Sequence, residues 1–228
     1  MFQLFAALIV FVALHSVPAI PALRSRLIGL FGRRLYLIAY SLISLATLAW
    51  VFYAALQIDF IALWDPQPWQ GWVTLILTPI GLFFLLAGLF SPNALSISVR
   101  RSGASQGGIV AITRHPVLWG FMLWAGSHIV PNGDLRSLVL FGALFLFALA
   151  GIPLTERRAR RRLRDDWPAL AASTSILPFA AIIAGRARAS IDWPMALSLL
   201  LTVLLAFWLL SGGHALLFSA DPLALALG

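Results

Sequence analysis

Histidine is the residue type whose placement in this chain most clearly indicates chemistry. There are four histidines, and all lie in strongly apolar segments: His15, His115, His128 and His214. An imidazole is costly to place in hydrocarbon, so ionisable groups within membrane segments are candidates for a functional site. Neutral imidazoles that face each other across a helical bundle suit a haem iron or another transition metal. The pattern therefore predicts a membrane protein with a buried polar or metal-binding site.

One segment combines two of these histidines with aromatic and basic residues. Trp119 and Trp124 would supply the aromatic walls of a haem slot, and Arg114 would supply a partner for a haem propionate. Pro116 is suited to the first turn of a helix, where no amide donor is needed. Arg114 and His115 would then lie at the mouth of that helix, a position suited to anions.

The composition is that of a membrane protein. Of the 228 residues, 61% are hydrophobic and only 11% are charged, whereas about a quarter of a soluble domain is charged. The absence of cysteine excludes disulfides, thiolate metal sites and cysteine nucleophiles. The net charge of +8 comes from 16 arginines without lysine, which cluster beside apolar segments, so we expect no nucleic-acid partner. No hydrolase, zinc-protease, Walker or Rossmann motif occurs.

The elements that must position the histidines are apolar helices. The pattern predicts an all-α bundle with about six transmembrane spans in a single domain, residues 1–228. A charged cytoplasmic helix at 155–170 and a short interfacial segment at 175–185 follow the fifth span. With strict alternation, fifteen arginines fall on one side and Arg136 on the other, so both termini lie outside. The predicted spans are 2–21, 35–57, 71–91, 109–131, 137–154 and 193–217.

Depth in the membrane suggests how the histidines pair. At about 1.5 Å of rise per residue, His15 and His115 lie at a similar depth on the cytoplasmic side. His128 and His214 lie near the outer ends of their spans. Depth alone therefore pairs His15 with His115, and His128 with His214. The alternative is that each histidine only forms a hydrogen bond to a neighbouring helix.

Residues 112–134, ITRHPVLWGFMLWAGSHIVPNGD, resemble the NnrU family of bacterial membrane proteins. An N-terminal pattern supports the same resemblance: His15, Leu23-Arg24, Gly32-Arg33 and Tyr36. The resemblance covers residues 1–180 and continues into the last span. It implies a multi-pass protein of the bacterial inner membrane with a role in denitrification and nitric oxide metabolism, and the arginine distribution then places both termini in the periplasm.

NnrU proteins are in turn similar to the 15-cis-zeta-carotene isomerases of plants and cyanobacteria. Those membrane enzymes hold haem b through two histidines and catalyse a redox-dependent isomerisation. Carried over, the resemblance implies metal ligands at His15 and His128, and the depth estimate keeps His115 and His214 as alternates. The isomerases have a cysteine three residues before the second ligand, where this chain has Ala125. If the chain is an enzyme, we expect a haem-dependent isomerase with an apolar polyene or another lipid-soluble substrate.

A more distant resemblance involves the Arg-His-Pro triplet, Glu156, and a charged helix that ends near Trp167 and Pro178. The isoprenylcysteine and phospholipid methyltransferases share this arrangement and bind S-adenosylmethionine at the cytoplasmic membrane face. The resemblance implies S-adenosylmethionine as an alternative cofactor, held by Arg114, His115 and Glu156. This chain departs from the usual acidic pair, since Thr155 precedes Glu156. A third possibility is a non-catalytic assembly or regulatory protein whose histidines only pack helices.

Overall fold

The structure is a computed structural model that describes residues 1–17, 20–100 and 106–228. Apart from one isolated β-bridge between Ala62 and Asp134, the regular elements in these ranges are helical. The prediction of an all-α helical protein is confirmed. The helices are α1 (Phe2–Ser16), α2 (Pro21–Leu56), α3 (Pro68–Phe90), α4 (Gly108–Ile112), α5 (Pro116–Ile129), α6 (Leu135–Leu163), α7 (Trp167–Ala172), α8 (Ala180–Ile183), α9 (Trp193–Trp208), α10 (His214–Phe218) and α11 (Pro222–Leu227).

Within the described residues, four helical stretches are long and apolar enough to cross a bilayer. They contain the predicted spans 137–154 and 193–217, and the predicted spans 35–57 and 71–91 except for the last residue of each. About 20 apolar residues are needed to cross the hydrocarbon, so the chain is an integral membrane protein. The four stretches are Ala22–Leu56, Pro68–Phe90, Leu135–Ala172 and Trp193–Phe218.

The other two predicted spans, 2–21 and 109–131, are not single helices long enough to cross a bilayer in the described residues. In the predicted span 2–21, helix α1 has 15 residues and ends at Ser16, and residues 18 and 19 of that span lie outside the described part. The predicted span 109–131 is divided into α4 and α5 by an extended Thr113 and by His115 at φ −122°. The break has a local cause, because the residue before a proline is disfavoured in the helical region.

The described residues form two compact units. The first contains residues 1–64 and 133–143. In it, α1 packs against α2, which is helical through the predicted loop before residue 35. Gly32 interrupts α2 with φ 74° and ψ 157°, a conformation that essentially only glycine adopts. The helix is therefore kinked at this residue.

The second unit contains residues 65–132 and 144–228. Its centre is the packing of α3 against α5, where a Cβ on Gly120 would lie 2.6 Å from the carbonyl oxygen of Gly81. Small residues allow two helix backbones to approach this closely in a membrane. One end of α5 is also held by hydrogen bonds, since Thr74 Oγ1 donates to the Ser127 carbonyl at 2.8 Å. These contacts determine where the neighbouring His128 lies.

Helix α6 joins two segments that the sequence pattern separates. The apolar span predicted at 137–154 and the first part of the charged helix predicted at 155–170 are one continuous helix, Leu135–Leu163. A 3₁₀ turn, Arg164–Asp166, and α7 follow. The predicted interfacial segment 175–185 contains the one-turn helix α8.

Candidate functional site

Arg114, His115 and Glu156 form one network at the N-terminal end of α5. His115 is completely buried, and its Nε2 lies 2.8 Å from Glu156 Oε1 while its Nδ1 lies 2.8 Å from Ser96 Oγ. A carboxylate only accepts hydrogen bonds, so Nε2 carries the proton and donates it. In the neutral ring, Nδ1 then accepts from the Ser96 hydroxyl. Both ring nitrogens of His115 are thus occupied by hydrogen bonds.

Arg114 connects three further segments of the second unit. Its Nη1 donates to both carboxylate oxygens of Glu156, at 3.0 and 2.9 Å, and its Nε donates to Thr174 Oγ1 at 2.9 Å. Its Nη2 donates to the Ala171 carbonyl at 2.9 Å, and its guanidinium carbon lies 5.3 Å from the ring centre of Trp167. Charge-assisted bonds of this kind are about twice as strong as neutral ones. Arg114 therefore connects the start of α5 with α6, with α7 and with Thr174 after it.

The prediction that Pro116 begins a helix is confirmed. Pro116 is the first residue of α5, and His115 is its N-cap residue, so Arg114 and His115 lie at the mouth of the helix. Proline is favoured at the first position of a helix because no hydrogen bond is lost there. This local preference is sufficient to predict that α5 begins at Pro116.

Glu156 was predicted as a neighbour of the triplet, but the other polar residues of the network were not. Asn93 Oδ1 accepts from the amides of Leu95 and Ser96, at 2.8 and 3.1 Å, and Asn93 Nδ2 donates to the Arg114 carbonyl at 3.1 Å. The only local signal is the Pro92-Asn93 pair, which is typical of a turn. Nothing local predicts that this turn meets Arg114.

The polar atoms of this network are bonded mainly to one another and to nearby backbone. S-adenosylmethionine at Arg114, His115 and Glu156 would have to replace these hydrogen bonds. S-adenosylmethionine binding stays a prediction of the methyltransferase resemblance.

The other three histidines share a different hydrogen bond. In each, Nδ1 lies 2.7 to 2.8 Å from a backbone carbonyl: Phe11 for His15, Trp124 for His128 and Ala220 for His214. A carbonyl only accepts, so Nδ1 carries the proton and the neutral ring has its lone pair on Nε2. Metal-ligating histidines commonly donate their other ring N–H in this way, which also orients the ring. These three histidines therefore have a tautomer that is compatible with a metal ligand at Nε2.

Aromatic rings lie beside these imidazoles. His15, on α1 of the first unit, has its ring centre 4.1 Å from that of Phe11. In the second unit, the ring centres of His128 and Trp124 are 5.4 Å apart. The other predicted wall residue, Trp119, donates its indole N–H to the Ile176 carbonyl at 2.9 Å. Trp124 thus contacts a histidine ring, whereas Trp119 is bonded to the segment after α7.

His128 and His214 line one small cavity in the second unit. The cavity has a volume of about 60 Å³ and is otherwise lined by apolar residues and the side chains of Thr74 and Thr78. Depth estimated from the sequence pairs these same two histidines. A typical ligand pocket is about 300–1,000 Å³, so this cavity has room only for a few small atoms.

Across residues 1–17, 20–100 and 106–228, no three histidine, cysteine or acidic side chains come together as a metal site. A haem iron needs only one or two protein ligands, because the porphyrin supplies the other four. A single imidazole with a protonated Nδ1 and an aromatic neighbour is a donor that a haem could use, whereas the cavity of about 60 Å³ beside His128 and His214 is much smaller than a porphyrin.

Long apolar helices with ionisable groups buried among them define this chain as an integral membrane protein. The chain belongs to the NnrU family: the family described as NnrU protein matches residues 3–222, which confirms the resemblance inferred from the motifs. The chain is similar to the chloroplastic 15-cis-zeta-carotene isomerase of Zea mays, 29% identical over 190 residues, 81% of this chain and 51% of the relative.

The corresponding isomerase of Arabidopsis thaliana is 27% identical over 187 residues, 78% of this chain and 50% of the relative. The chain spans about half of the length of the curated relatives it matches. No solved structure matches it.

Proposed function

We propose that this NnrU protein is a haem b-dependent isomerase that acts on an apolar polyene within the membrane. The observation that carries the proposal is the Nδ1–carbonyl hydrogen bond of His15, His128 and His214. The similarity to zeta-carotene isomerases supplies the reaction class and the substrate class. The 61% hydrophobic composition suits a lipid-soluble substrate.

His15 and His128 are the proposed haem ligands, and His214 is the alternate. In each histidine, the hydrogen bond from Nδ1–H to a backbone carbonyl orients the ring and makes Nε2 a stronger electron donor. When bound, the haem would supply a redox-active iron whose potential depends on the protein ligands and on the surrounding dielectric.

The proposed location is the bacterial inner membrane, with both termini in the periplasm. The arginine-rich end of α6 then lies in the cytoplasm, as the positive-inside rule requires. Arg157, Arg158 and Arg160–Arg162 are all in this part of the helix.

A role in nitrogen-oxide metabolism is the second candidate function. The cavity beside His128 and His214, at about 60 Å³, has room for a molecule of two or three atoms but not for a polyene. Nitric oxide is a ligand of this size that binds haem iron. The family name and this cavity are what support the second candidate.

The proposed haem site is tested by the absorbance spectrum of the full chain purified from a haem-replete host. We expect a Soret band in the wild type and loss of most of it in His15→Ala and in His128→Ala. His115→Ala is the matched control: its ring nitrogens bond Ser96 and Glu156, so the haem content of the folded fraction is unchanged. A wild type without a Soret band would contradict haem binding, and unchanged spectra in both variants would contradict His15 and His128 as the ligands.

The reaction class is tested separately on the haem-loaded protein. We expect the reduced protein to convert the 15-cis double bond of zeta-carotene to the trans configuration. Chromatographic separation of the two isomers measures the conversion. A haem protein that leaves the polyene unchanged but binds nitric oxide with a shifted Soret band would favour the second candidate. Retention of function in cells by all four His→Ala variants would favour a non-catalytic role.

A further inference from the structure

The C-terminal end of α6 and the turn after it carry a dense cluster of positive charge. Six arginines lie within residues 157–164, and two aspartates follow directly. All eight of these side chains are exposed. Two of the arginines have partners in the described part of the chain: Arg160 lies over the ring of Trp167, 5.3 Å from its centre, and Arg162 donates to the Ala94 carbonyl.

Three other arginines of this cluster, Arg157, Arg158 and Arg161, are unpaired. Their side chains form no ion pair or hydrogen bond with any of the described residues. Residues three and four apart on a helix have Cβ atoms about 5–6 Å apart, so Arg161 is a neighbour of both others. Like charges at these spacings destabilise a helix. The three residues, here called the arginine triad, therefore form a surface that an anion would stabilise.

The arginine triad lies at the level of lipid headgroups. The predicted apolar span of α6 ends at residue 154 within the continuous helix. At about 1.5 Å per residue, Arg157 is about 5 Å and Arg161 about 10 Å beyond the hydrocarbon. The headgroup layer is about 5–8 Å thick on each side of a bilayer. Arg157 is thus within this layer, and the long side chain of Arg161 can reach it from its outer edge.

A segment of the same unit exposes apolar side chains although its backbone is held in place. Leu177, Phe179 and Ile183 are 63%, 47% and 84% exposed. Just before them, the Ile176 carbonyl accepts a hydrogen bond from Thr113 Oγ1 at 2.8 Å. An ordered segment with exposed apolar side chains suits the boundary between headgroups and acyl chains. This segment, residues 177–183, therefore indicates that this end of the unit meets lipid.

Arg114 and Trp167 connect this apolar segment to the end of α6. The guanidinium carbons of Arg114 and Arg160 each lie 5.3 Å from the ring centre of Trp167. Arg114 is also bonded to Glu156 of α6 and to Thr174, which precedes the apolar segment. The end of α6 and the apolar segment are therefore joined in one network at the same end of the second unit.

We propose that the arginine triad binds the phosphate of an anionic phospholipid, whose acyl chains contact the apolar segment 177–183. Guanidinium groups present paired N–H donors that match phosphate oxygens. A zwitterionic headgroup suits the triad less well, because its own ammonium group offsets the phosphate charge. The triad has no acidic partner and lies beside lipid, so charge and position favour the same ligand. The inference goes beyond the proposed function and does not require haem.

The test measures lipid binding to the full chain in dodecyl maltoside micelles by native mass spectrometry. Dioleoylphosphatidylglycerol is the anionic probe, and dioleoylphosphatidylcholine, with the same acyl chains, is the neutral comparison. We expect the wild type to retain phosphatidylglycerol in preference to phosphatidylcholine. The preference should weaken as salt is added, because salt screens exposed charges. Excess inorganic phosphate should not displace the lipid, since phosphate lacks the acyl chains.

The double variant Arg157→Gln with Arg161→Gln removes two charges of the triad. One arginine near an anionic lipid surface changes affinity about fivefold, so the variant should bind phosphatidylglycerol about tenfold to thirtyfold more weakly. Without lipid, it should unfold at the same temperature as the wild type or at a higher one, because it removes a repulsive pair. Arg24→Gln with Arg26→Gln is the matched control: both residues are exposed arginines of α2, and the loss of charge is the same.

Four results would overturn the proposal. They are equal retention of the two lipids by the wild type; displacement of phosphatidylglycerol by inorganic phosphate; unchanged affinity in the triad variant; and an equal loss in the α2 control, which would show attraction by net charge alone. The Soret band of the triad variant reports on the proposed haem site independently, so failure of one proposal is distinguishable from failure of the other.

Discussion

Replacing Glu156 by alanine lowers the free energy of unfolding by about 3–5 kcal/mol, the usual cost of removing one partner from a buried ion pair. The side chains of Arg114 and Glu156 are only 9% and 13% exposed. The variant leaves the Arg114 guanidinium without its charge partner and removes the acceptor of the His115 Nε2–H. The measurement is denaturant-induced unfolding of the full chain in detergent, followed by tryptophan fluorescence.

Arg157→Ala is the matched control for this variant, because Arg157 is the next residue of α6 and is exposed. Surface substitutions usually change stability by no more than about 0.5 kcal/mol. Glu156→Gln should give an intermediate loss, since it keeps a carbonyl oxygen but loses the charge. If Glu156→Ala and Arg157→Ala unfold alike, the network does not stabilise the fold.

Gly120→Ala should destabilise the protein by about 1–3 kcal/mol, the range for forcing extra atoms into a packed core. A Cβ at this position would lie 2.6 Å from the Gly81 carbonyl oxygen and 2.7 Å from the Leu85 amide nitrogen. Both atoms belong to the backbone of α3, so relief requires the two helices to move apart. The same denaturant-induced unfolding measures the effect.

Gly142→Ala is the matched comparison, because a Cβ on this glycine of α6 meets nothing within 4 Å. Alanine is favoured over glycine inside a helix by about 0.5–1 kcal/mol, so this variant should be neutral or more stable. A Gly120→Ala variant as stable as Gly142→Ala would contradict the close packing of α3 against α5.

The features that the sequence predicted well depend on strong local or compositional signals. Long apolar stretches predicted the helical membrane fold, and Pro116 predicted the start of α5. The motif at 112–134 predicted the family. The rise per residue places His128 and His214 at one depth, and both line the same cavity. Their role as metal ligands stays a prediction.

The features that were not predicted depend on contacts between distant segments or on single backbone angles. The short length of α1 and the division of the predicted span 109–131 required knowledge of where helices end. The partners Ser96 and Thr174 come from loops whose sequences carry no motif. The kink of α2 at Gly32 was not predicted either, because a glycine in an apolar segment does not by itself indicate a positive φ.

The requirement for glycine at residue 32 comes from the chirality of L-amino acids and not from a lack of room for a side chain. A Cβ at this position would meet nothing within 4 Å, yet φ is +74°, so an L-residue is disfavoured by its own backbone. A D-amino acid favours the mirror-image region and has no such penalty. D-alanine introduced at this position by chemical ligation would preserve the bend while removing the conformational freedom of glycine, whereas L-alanine would favour a straight α2.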